Sequence, residues 1–425
     1  MKKILIITIA LLPVLANAQL KANAELKGLI TKSFGYFSKI KEVENTVVTA
    51  QQKLNLAQLN KSPEVTGDAS YNFMQPKITV PINGTEFQFA PVHSINTGLN
   101  ANYVVFDFGR LKANIERSKT DIQLAQHNVD YVKHNLAYQV ANVYYNIVYL
   151  KKAVSIQDTV LNYLNENKSI VESKLRNGDA IKIDLLNIQA SIDAALNQKI
   201  DLQNSLQKQL NLLEFATGTK QNTGSQFDFD INMVDVVTAL IQSQTTNLDF
   251  VLLKDKIMQA QNDLETIKLG DKPVVSLHAA TGIKNGFVPN VGEMRFNYLA
   301  GVTFSIPIYN GGKTKTQIKL SQTMVRQNEL AVESLSSNYK KDIEQALTNV
   351  TTNVERIKNT EGQIQQSKAA QTLASNRFKN GVGTNLEITN ASTNVQKAAL
   401  TRLQYQYQLC LSKVELARLM GYEYW

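Results

Sequence analysis

The chain has 425 residues, a net charge of +9, a mean hydropathy of −0.21 and one cysteine. A single cysteine excludes a fold held by internal disulfides. The basic residues are dispersed, which argues against a nucleic-acid-binding patch. After the first 18 residues no run of about 18 apolar residues occurs, which excludes a membrane-spanning helix.

The N-terminus has the three parts of a secretory signal peptide. Lys2 and Lys3 are basic, residues 4–15 are mostly apolar, and Ala16 and Ala18 form an A-x-A cleavage site. A membrane anchor is the weaker alternative, because the apolar part is too short to span a bilayer. We therefore predict a signal peptide over 1–18 and export from the cytoplasm.

Two copies of one pattern follow the signal peptide. FDFGR, beginning at Phe106, recurs as YNGGK, beginning at Tyr309, which is 203 positions later. KLRNGDAIKIDLL recurs as RFKNGVGTNLEIT, and LLEFATG, ending at Gly218, recurs as LARLMG, ending at Gly421, with the same offset. Three markers with one spacing predict a tandem structural repeat in which each copy is one structural unit.

The first copy is longer near its start. Pro63 and Pro273 occupy related places but are 210 positions apart, so the first copy has about seven more residues in a loop. We predict repeat 1 over 19–221 and repeat 2 over 222–425.

Each copy is predicted to run helix, strand, strand, long helix, tight turn and return helix. In repeat 1 the elements are a helix over 26–60, strands over about 64–75 and 93–106, a long helix over 109–177 and a return helix over 182–217. In repeat 2 they are a flank segment, a helix over 247–269, strands over about 274–284 and 294–307, a long helix over 311–380 and a return helix over 385–420.

The four strands alternate between apolar and polar residues. In the first, Val65, Tyr71 and Phe73 fall on one side, and Asp68 and Asn72 fall on the other. A period of two over about ten residues, with aromatic residues near the ends, is typical of a transmembrane β-strand with one face towards lipid. The alternative is a pair of half-buried hairpins in a soluble domain. The loops over 75–92 and 284–293 suit surface turns.

Four strands cannot close a barrel by themselves. Open sheet edges are not tolerated in the hydrocarbon layer, where each unpaired backbone group costs several kcal/mol. If the strands span a membrane, copies of the chain must therefore pool them. Two copies would give eight strands, whose interior is filled by side chains, whereas three would give twelve and an open lumen.

The long helices exceed what a globular core needs. Apolar residues recur every seven positions, which indicates coiled-coil packing. Their polar positions suit a second, wet surface, such as the wall of a water-filled tube. The strand-to-helix turns contain good N-cap residues beside glycines, and they comprise Asp107, Gly109, Asn310, Gly311 and Gly312.

These features together resemble the TolC-type outer-membrane factor family over nearly the whole mature chain. The resemblance rests on the tandem copies, on FDFGR and YNGGK after a strand, and on RFKNGVGTNLEITNA, which is similar to the family's helix-tip signature. It implies a mixed α and β membrane protein in the cell outer membrane with a periplasmic extension. It also implies a homotrimer with a 12-stranded β-barrel, four strands per chain, continued by a long α-helical barrel. A periplasmic adaptor and an inner-membrane transporter are the implied partners.

Family members narrow their periplasmic end with acidic side chains just after the tip turn. Matching through Gly381 assigns the first acidic position to Glu387, whereas the second is Asn390 in this chain. Asp184 is the weaker candidate in the first copy. The alternative for Glu387 is a first-turn carboxylate that suits the helix dipole.

The tip turns are the candidate adaptor contacts, although Asn-Gly is also ordinary turn chemistry. They comprise Asn177, Gly178, Asn380, Gly381, Val382, Gly383 and Thr384.

No motif indicates an enzyme, a cofactor or a metal site. His127 and His134 are seven apart, but no further ligand stands at zinc spacing, and no phosphate-binding glycine loop occurs. The favoured function is the passive exit duct of a tripartite efflux system for small molecules. The alternatives are the exit duct of type I protein secretion and a secreted coiled-coil structural protein without a channel.

Overall fold

The structure, a computed structural model, describes residues 23–82, 84–220, 224 and 226–425. The predicted signal peptide, 1–18, lies outside them. The predicted combination of long helices with a small sheet is confirmed. The helices are α1 (Ala24–Tyr36), α2 (Ser38–Leu59), α3 (Arg110–Arg176), α4 (Lys182–Thr217), α5 (Val236–Thr246), α6 (Leu248–Lys268), α7 (Lys313–Lys379) and α8 (Asn385–Leu419). The strands are β1 (Glu64–Phe73), β2 (Thr79–Ile82), β3 (Thr85–Gln88), β4 (His93–Phe106), β5 (Val274–Lys284) and β6 (Arg295–Ser305).

The chain divides into two compact units, and each draws on both predicted repeats. The first contains the described residues up to Lys41 together with Asp130–Val251 and Ser334–Trp425. The second contains Glu42–Val129 and Leu252–Glu333. These two units therefore do not coincide with the two predicted repeats, which stay a prediction. The long helices α3 and α7, of 67 residues each, run through both units.

The second unit contains a four-stranded antiparallel sheet in the order β1-β4-β5-β6. Gly67, Leu99, Thr281 and Tyr298 lie opposite one another across the four strands. Because side chains alternate along a strand, this register puts the apolar series of all four strands on one face.

The apolar face of this sheet is the more exposed one. In β5 from Ser276 onward, the exposed residues are Leu277, Ala279, Thr281 and Ile283, and the half-buried ones are Ser276, His278, Ala280, Gly282 and Lys284. A sheet that covers a water-soluble core buries its apolar face instead. In this sheet the apolar face is exposed instead of buried.

Part of the predicted loop over 75–92 is a second hairpin. β2 and β3 pair antiparallel from Thr79 opposite Gln88 to Ile82 opposite Thr85. The sequence signal was an Asn-Gly pair, Asn83 and Gly84, between apolar residues, which is a strong hairpin signal.

The first incoming helix differs from the prediction, whereas the second, expected over 247–269, is α6. The helix expected over 26–60 breaks at Phe37, whose backbone is extended, and so forms α1 and α2. The chain also contains α5, which was not predicted, and a second break at Asn247. The side-chain nitrogen of Asn247 donates to the backbone carbonyls of Arg418 (2.9 Å) and Leu419 (3.0 Å) in α8. This break depends on a contact with a distant helix rather than on local propensity.

β6, which was predicted over about 294–307, is shorter than expected. It ends at Ser305, whereas the prediction extended to Pro307. Proline has no backbone N–H to donate to a ladder, which accounts for the earlier end.

The first unit has an aromatic core. Tyr144 and Tyr145 of α3 are fully buried and meet edge to face at 5.0 Å between ring centroids. Phe229 packs against Tyr145 and Tyr424.

Among the described residues, no helix combines the length and apolarity that crossing a membrane requires.

Candidate functional site

The turn after α7 is the tip of the second copy, in the first unit. Gly381 has a left-handed backbone, with φ of 77°, which a side chain tolerates poorly. The amides of Val382 (3.0 Å) and Gly383 (3.1 Å) both donate to the carbonyl of Arg377. A Cβ on Gly383 would lie 2.9 Å from the Arg377 Cβ and the Phe378 nitrogen. The turn is therefore tight and depends on both glycines.

The start of α8 follows directly. Thr384 is the N-cap, and its hydroxyl accepts from the amide of Glu387 at 3.2 Å. Glu387 and Asn390 are both exposed, and they are three residues apart, so they share a face of the helix. The two positions matched to the family's acidic constriction thus lie side by side.

The tip of the first copy has related geometry. Gly178 has φ of 83°, and the amide of Asp179 donates to the carbonyl of Lys174 at 2.8 Å. The Asp184 carboxylate accepts from the amide of Ile181 at 3.3 Å. Asp184 is half-buried and has a structural role in starting α4.

The two tips are joined to each other. Asn385 is almost fully buried, and its side-chain nitrogen donates to the carbonyl of Asp184 at 2.9 Å. The Lys174 ammonium lies 5.1 Å from the centre of the Phe378 ring. Beneath them is an apolar cluster of Val171, Ala374, Phe378, Ile388 and Ala391. The helical hairpins of the two copies therefore form one packed end.

Glu387 has a basic neighbour within its own chain. Its carboxylate is 3.5 Å from Nε of Arg377, whose terminal nitrogen donates to the carbonyl of Val382 at 3.3 Å. Arg377 thus links the end of α7, the turn and the start of α8. Both side chains remain about half exposed, so solvent screens this pair.

The turn between β4 and α3 lies in the second unit. Asp107 accepts from the amides of Gly109 (3.0 Å) and Leu111 (2.6 Å), which satisfies two free donors at the helix start. Phe108 and Gly109 have φ of 56° and 96°. The chain thereby passes from strand to helix within three residues.

The related turn between β6 and α7 uses Asn310. Its side-chain oxygen accepts from the amide of Gly312 at 3.2 Å. Gly311 and Gly312 both have positive φ. The carboxylate of Asp271 accepts from the Asn310 amide (2.9 Å) and the Thr314 hydroxyl (2.7 Å).

Arg110, the first residue of α3, binds the short 3₁₀ helix Leu269–Asp271 that follows α6, and Lys272 after it. Its guanidinium donates to the carbonyls of Leu269 (2.8 Å), Gly270 (2.6 Å) and Lys272. A cation at a helix C-terminus satisfies free carbonyls and suits the dipole. The sequence offered one signal for this role, the arginine within the FDFGR marker. Asn385 and Arg377 were also missed, although both stand in the repeat marker RFKNGVGTNLEIT.

His127 and His134 contact residues that are distant in sequence, and Cys410 is buried. His127 is 2.5 Å from the Asp255 carboxylate, and His134 is 3.2 Å from the carbonyl of Tyr422. Burial lowers the pKa of His134 and raises that of Cys410, which keeps the thiol protonated. Within the described residues, no group of three or more His, Cys, Asp or Glu could hold a metal ion.

The open sheet with an apolar exposed face and the two long helical hairpins define the architecture of a channel-forming outer-membrane protein. The sequence matches the outer membrane efflux protein family over residues 38–219 and 273–422. The chain therefore belongs to the outer membrane efflux protein family. This is a family of transport channels rather than of enzymes, located in the outer membrane with a periplasmic extension.

Individual relatives are distant. The outer membrane protein TolC of Salmonella enteritidis is 19% identical over 251 residues, which cover 56% of this chain and 51% of that protein. TolC of Escherichia coli is 20% identical over 264 residues, with coverage of 56% and 51%. The chain thus spans about half the length of the curated relatives that it matches.

Solved structures agree over most of the chain. A structure of CusC has a TM-score of 0.79 at 18% identity, covering 95% of this chain and 93% of that one. The outer membrane protein VceC of Vibrio cholerae has a TM-score of 0.75 at 18% identity, covering 94% and 96%. At these identities the likeness establishes the fold.

Proposed function

We propose that the chain is the outer-membrane exit duct of a tripartite efflux system for small molecules. Three copies would pool their strands into a 12-stranded barrel, continued by a periplasmic α-helical barrel. A periplasmic adaptor would connect this duct to an inner-membrane pump.

The open sheet with its apolar face outward carries the proposal. Among the described strands, β1 pairs only with β4, and β6 pairs only with β5. Edges of this length cannot stay unpaired in lipid, where each free backbone group costs several kcal/mol. Pairing β6 of one copy with β1 of the next satisfies both edges, and three copies leave an open lumen. The exposed apolar face would meet lipid, which disfavours a coiled-coil protein without a channel.

Planar lipid bilayers test the duct directly. The purified protein should give discrete conductance steps that carry solutes as well as ions, because the lumen is water-filled. Protein that inserts without conductance would contradict the proposal.

The exit duct of type I protein secretion shares this geometry. Co-purification with an adaptor of an ABC exporter rather than of an efflux pump would favour it.

The tips are the proposed adaptor surface. Exposed apolar side chains cluster there on both copies, and they are Ile181, Ile183, Leu186, Val382 and Leu386. Exposed apolar residues that meet no core suit a protein–protein contact.

Replacing Val382 by tryptophan is expected to abolish efflux while trimers still form. Val382 is 68% exposed in the tip turn, so a larger side chain obstructs a partner without disturbing a core. Drug susceptibility should rise to that of cells lacking the protein. The matched control is Val237→Trp in α5 of the same unit, where valine is 67% exposed. Normal efflux in Val382→Trp cells would contradict the tip assignment.

The Glu387 side chains of three copies form the proposed acidic constriction, with Asn390 in the place of a second ring. Glu387→Gln removes three negative charges and should lower the cation-to-anion permeability ratio in bilayer recordings. Asn390→Asp adds three on the same helix face and should raise it. Arg377, 3.5 Å from Glu387, moderates both effects. If neither variant changes the cation-to-anion permeability ratio, the proposal that Glu387 forms an acidic constriction is rejected.

A further inference from the structure

The end of the sheet that lies away from the helices carries two basic side chains side by side. β5 follows α6 and ends at Lys284, whereas β6 begins at Arg295 and leads to α7. The two residues are directly opposite each other in the β5–β6 ladder. The Cβ atoms of such a pair are about 5 Å apart. Both head groups can therefore reach one bound ligand.

Both residues belong to the polar face of the sheet. On its other side Lys284 is opposite Asn96 of β4, which is also polar. The adjacent row contains Ile283 opposite Phe296, and this row is on the apolar face. In the proposed barrel the polar face lines the water-filled lumen. Lys284 and Arg295 then lie at the outer mouth of that lumen.

This basic pair is short of negative charge. Like charges that lie directly opposite each other destabilise two paired strands. A carboxylate oxygen of Glu293 lies 2.8 Å from a terminal nitrogen of Arg295. The Lys284 ammonium lies 5.2 Å from the centre of the Phe287 ring, a contact that orients the ammonium without neutralising it. Two cations and one carboxylate leave one net positive charge in each chain.

The first strand does not supply the missing charge. In the outer half of β1, the residues on the polar face are Ser70 and Asn72. Pairing of β1 with β6 of a neighbouring copy, as proposed, therefore brings uncharged side chains to the outer end of β6. The next acidic residue on this face of β1 is Asp68, whose carboxylate accepts from the side-chain nitrogen of Asn100. That carboxylate is already hydrogen-bonded and lies nearer to the helices.

A basic pair of this kind fits a phosphate group. The planar guanidinium of an arginine can donate two parallel hydrogen bonds to phosphate oxygens, and a lysine ammonium adds a compact positive charge. A phosphate monoester has about two negative charges on three oxygens, which is enough for both cations. The Arg295 side chain is 38% exposed and Lys284 is half-buried, so a solute in the lumen can reach both.

We infer that Lys284 and Arg295 of each chain form a binding site for phosphorylated solutes at the outer mouth of the lumen. The inference rests on the proposed duct, and it adds a preference among anions at the exit. A polyphosphate bound at this mouth obstructs the passage of other ions. Because the site faces water, its ligand is a soluble phosphate and not a lipid headgroup.

Single-channel recording with inorganic tripolyphosphate tests the site. In a bilayer of phosphatidylcholine, which has no net charge, tripolyphosphate in one compartment should reduce the conductance of the wild-type protein. Raising the salt concentration should weaken this block, because salt screens exposed charges. From the other compartment tripolyphosphate should block much less, because the proposed narrow periplasmic end lies in between. An anionic phospholipid mixed into the bilayer should not reproduce the block.

Substitutions assign the block to the basic pair. Lys284→Gln/Arg295→Gln should raise the half-blocking concentration roughly tenfold or more, because two charge-assisted contacts are lost. Lys284→Glu should have a similar effect, and it places opposite charges across the ladder, which favours strand pairing. The matched control is Lys77→Gln, which removes one positive charge from the exposed loop after β1 and should leave the block unchanged.

The outcomes separate this inference from the proposed function. A conducting wild-type channel that tripolyphosphate does not block, or a block that persists in both Lys284 variants, overturns the inference and leaves the duct intact. Block by the anionic phospholipid alone would assign the basic pair to a lipid headgroup and would also overturn it. A wild-type protein that inserts but never conducts contradicts the proposed function itself.

Discussion

Replacing Val302 by arginine is expected to prevent assembly of the protein in the outer membrane. Val302 lies in β6 on the apolar face, opposite Leu277, and is 67% exposed. In the proposed barrel its side chain meets lipid. Arginine near the bilayer midplane costs about 2–4 kcal/mol per chain, and the cost recurs in every copy. Heat-modifiable trimers should fall to a small fraction of the wild-type amount in outer-membrane fractions.

Leu299→Arg is the matched control. Leu299 is also apolar and is 58% exposed, but it lies on the opposite face of β6, opposite Ala280. That face lines the water-filled lumen in the proposed barrel, so arginine should be accepted and trimers should form. Equal yields of the two variants would mean that the faces are wrongly assigned.

Gly282→Ala is expected to have the second large effect. Gly282 in β5 lies directly opposite Gly98 in β4. A Cβ on Gly282 would lie 2.6 Å from the Gly98 Cα and would also press on the Thr97 carbonyl. The two central strands must then separate, and forced overpacking of this kind costs about 1–3 kcal/mol or more. Folded trimers should decrease strongly, as measured by heat modifiability and protease resistance.

The control for this substitution is Gly67→Ala in β1. There the nearest heavy atom to an added Cβ is Cδ2 of Leu99 at 3.6 Å, which is ordinary contact. Alanine should leave assembly unchanged or improve it, because glycine loses more backbone entropy on folding. If Gly282→Ala assembled as well as the wild type, β4 and β5 would not be in close contact at this position, which would contradict the prediction.

The sequence predicted the sheet faces because the side-chain period of a strand is two. Tyr71 and Phe73 fall on one series and Asp68 on the other, so the apolar face followed without any knowledge of strand pairing. The alternation does not predict the order of the strands in the sheet. β4 pairs with β5 although α3, α4, α5 and α6 lie between them in the chain. No local pattern encodes such a pairing.

The helix breaks and the joined tips needed tertiary contacts. Asn247 looks like a helix start in sequence, but its bonds to the end of α8 determine where α5 stops. Asn385 likewise gains its role from a carbonyl of Asp184, 201 positions away. Polar residues that bond to remote backbone leave no periodic signal, whereas the Asn-Gly turns, with their left-handed glycines, could be read directly.

The most direct test of the central claim is the mass of the detergent-solubilised mature protein, corrected for bound detergent. The open edges of β1 and β6 predict a particle of three chains, because three copies close a barrel with an open lumen. A stable monomer, or a species that stays in solution without detergent, would contradict the account. It would assign the exposed apolar face to an ordinary sheet rather than to lipid.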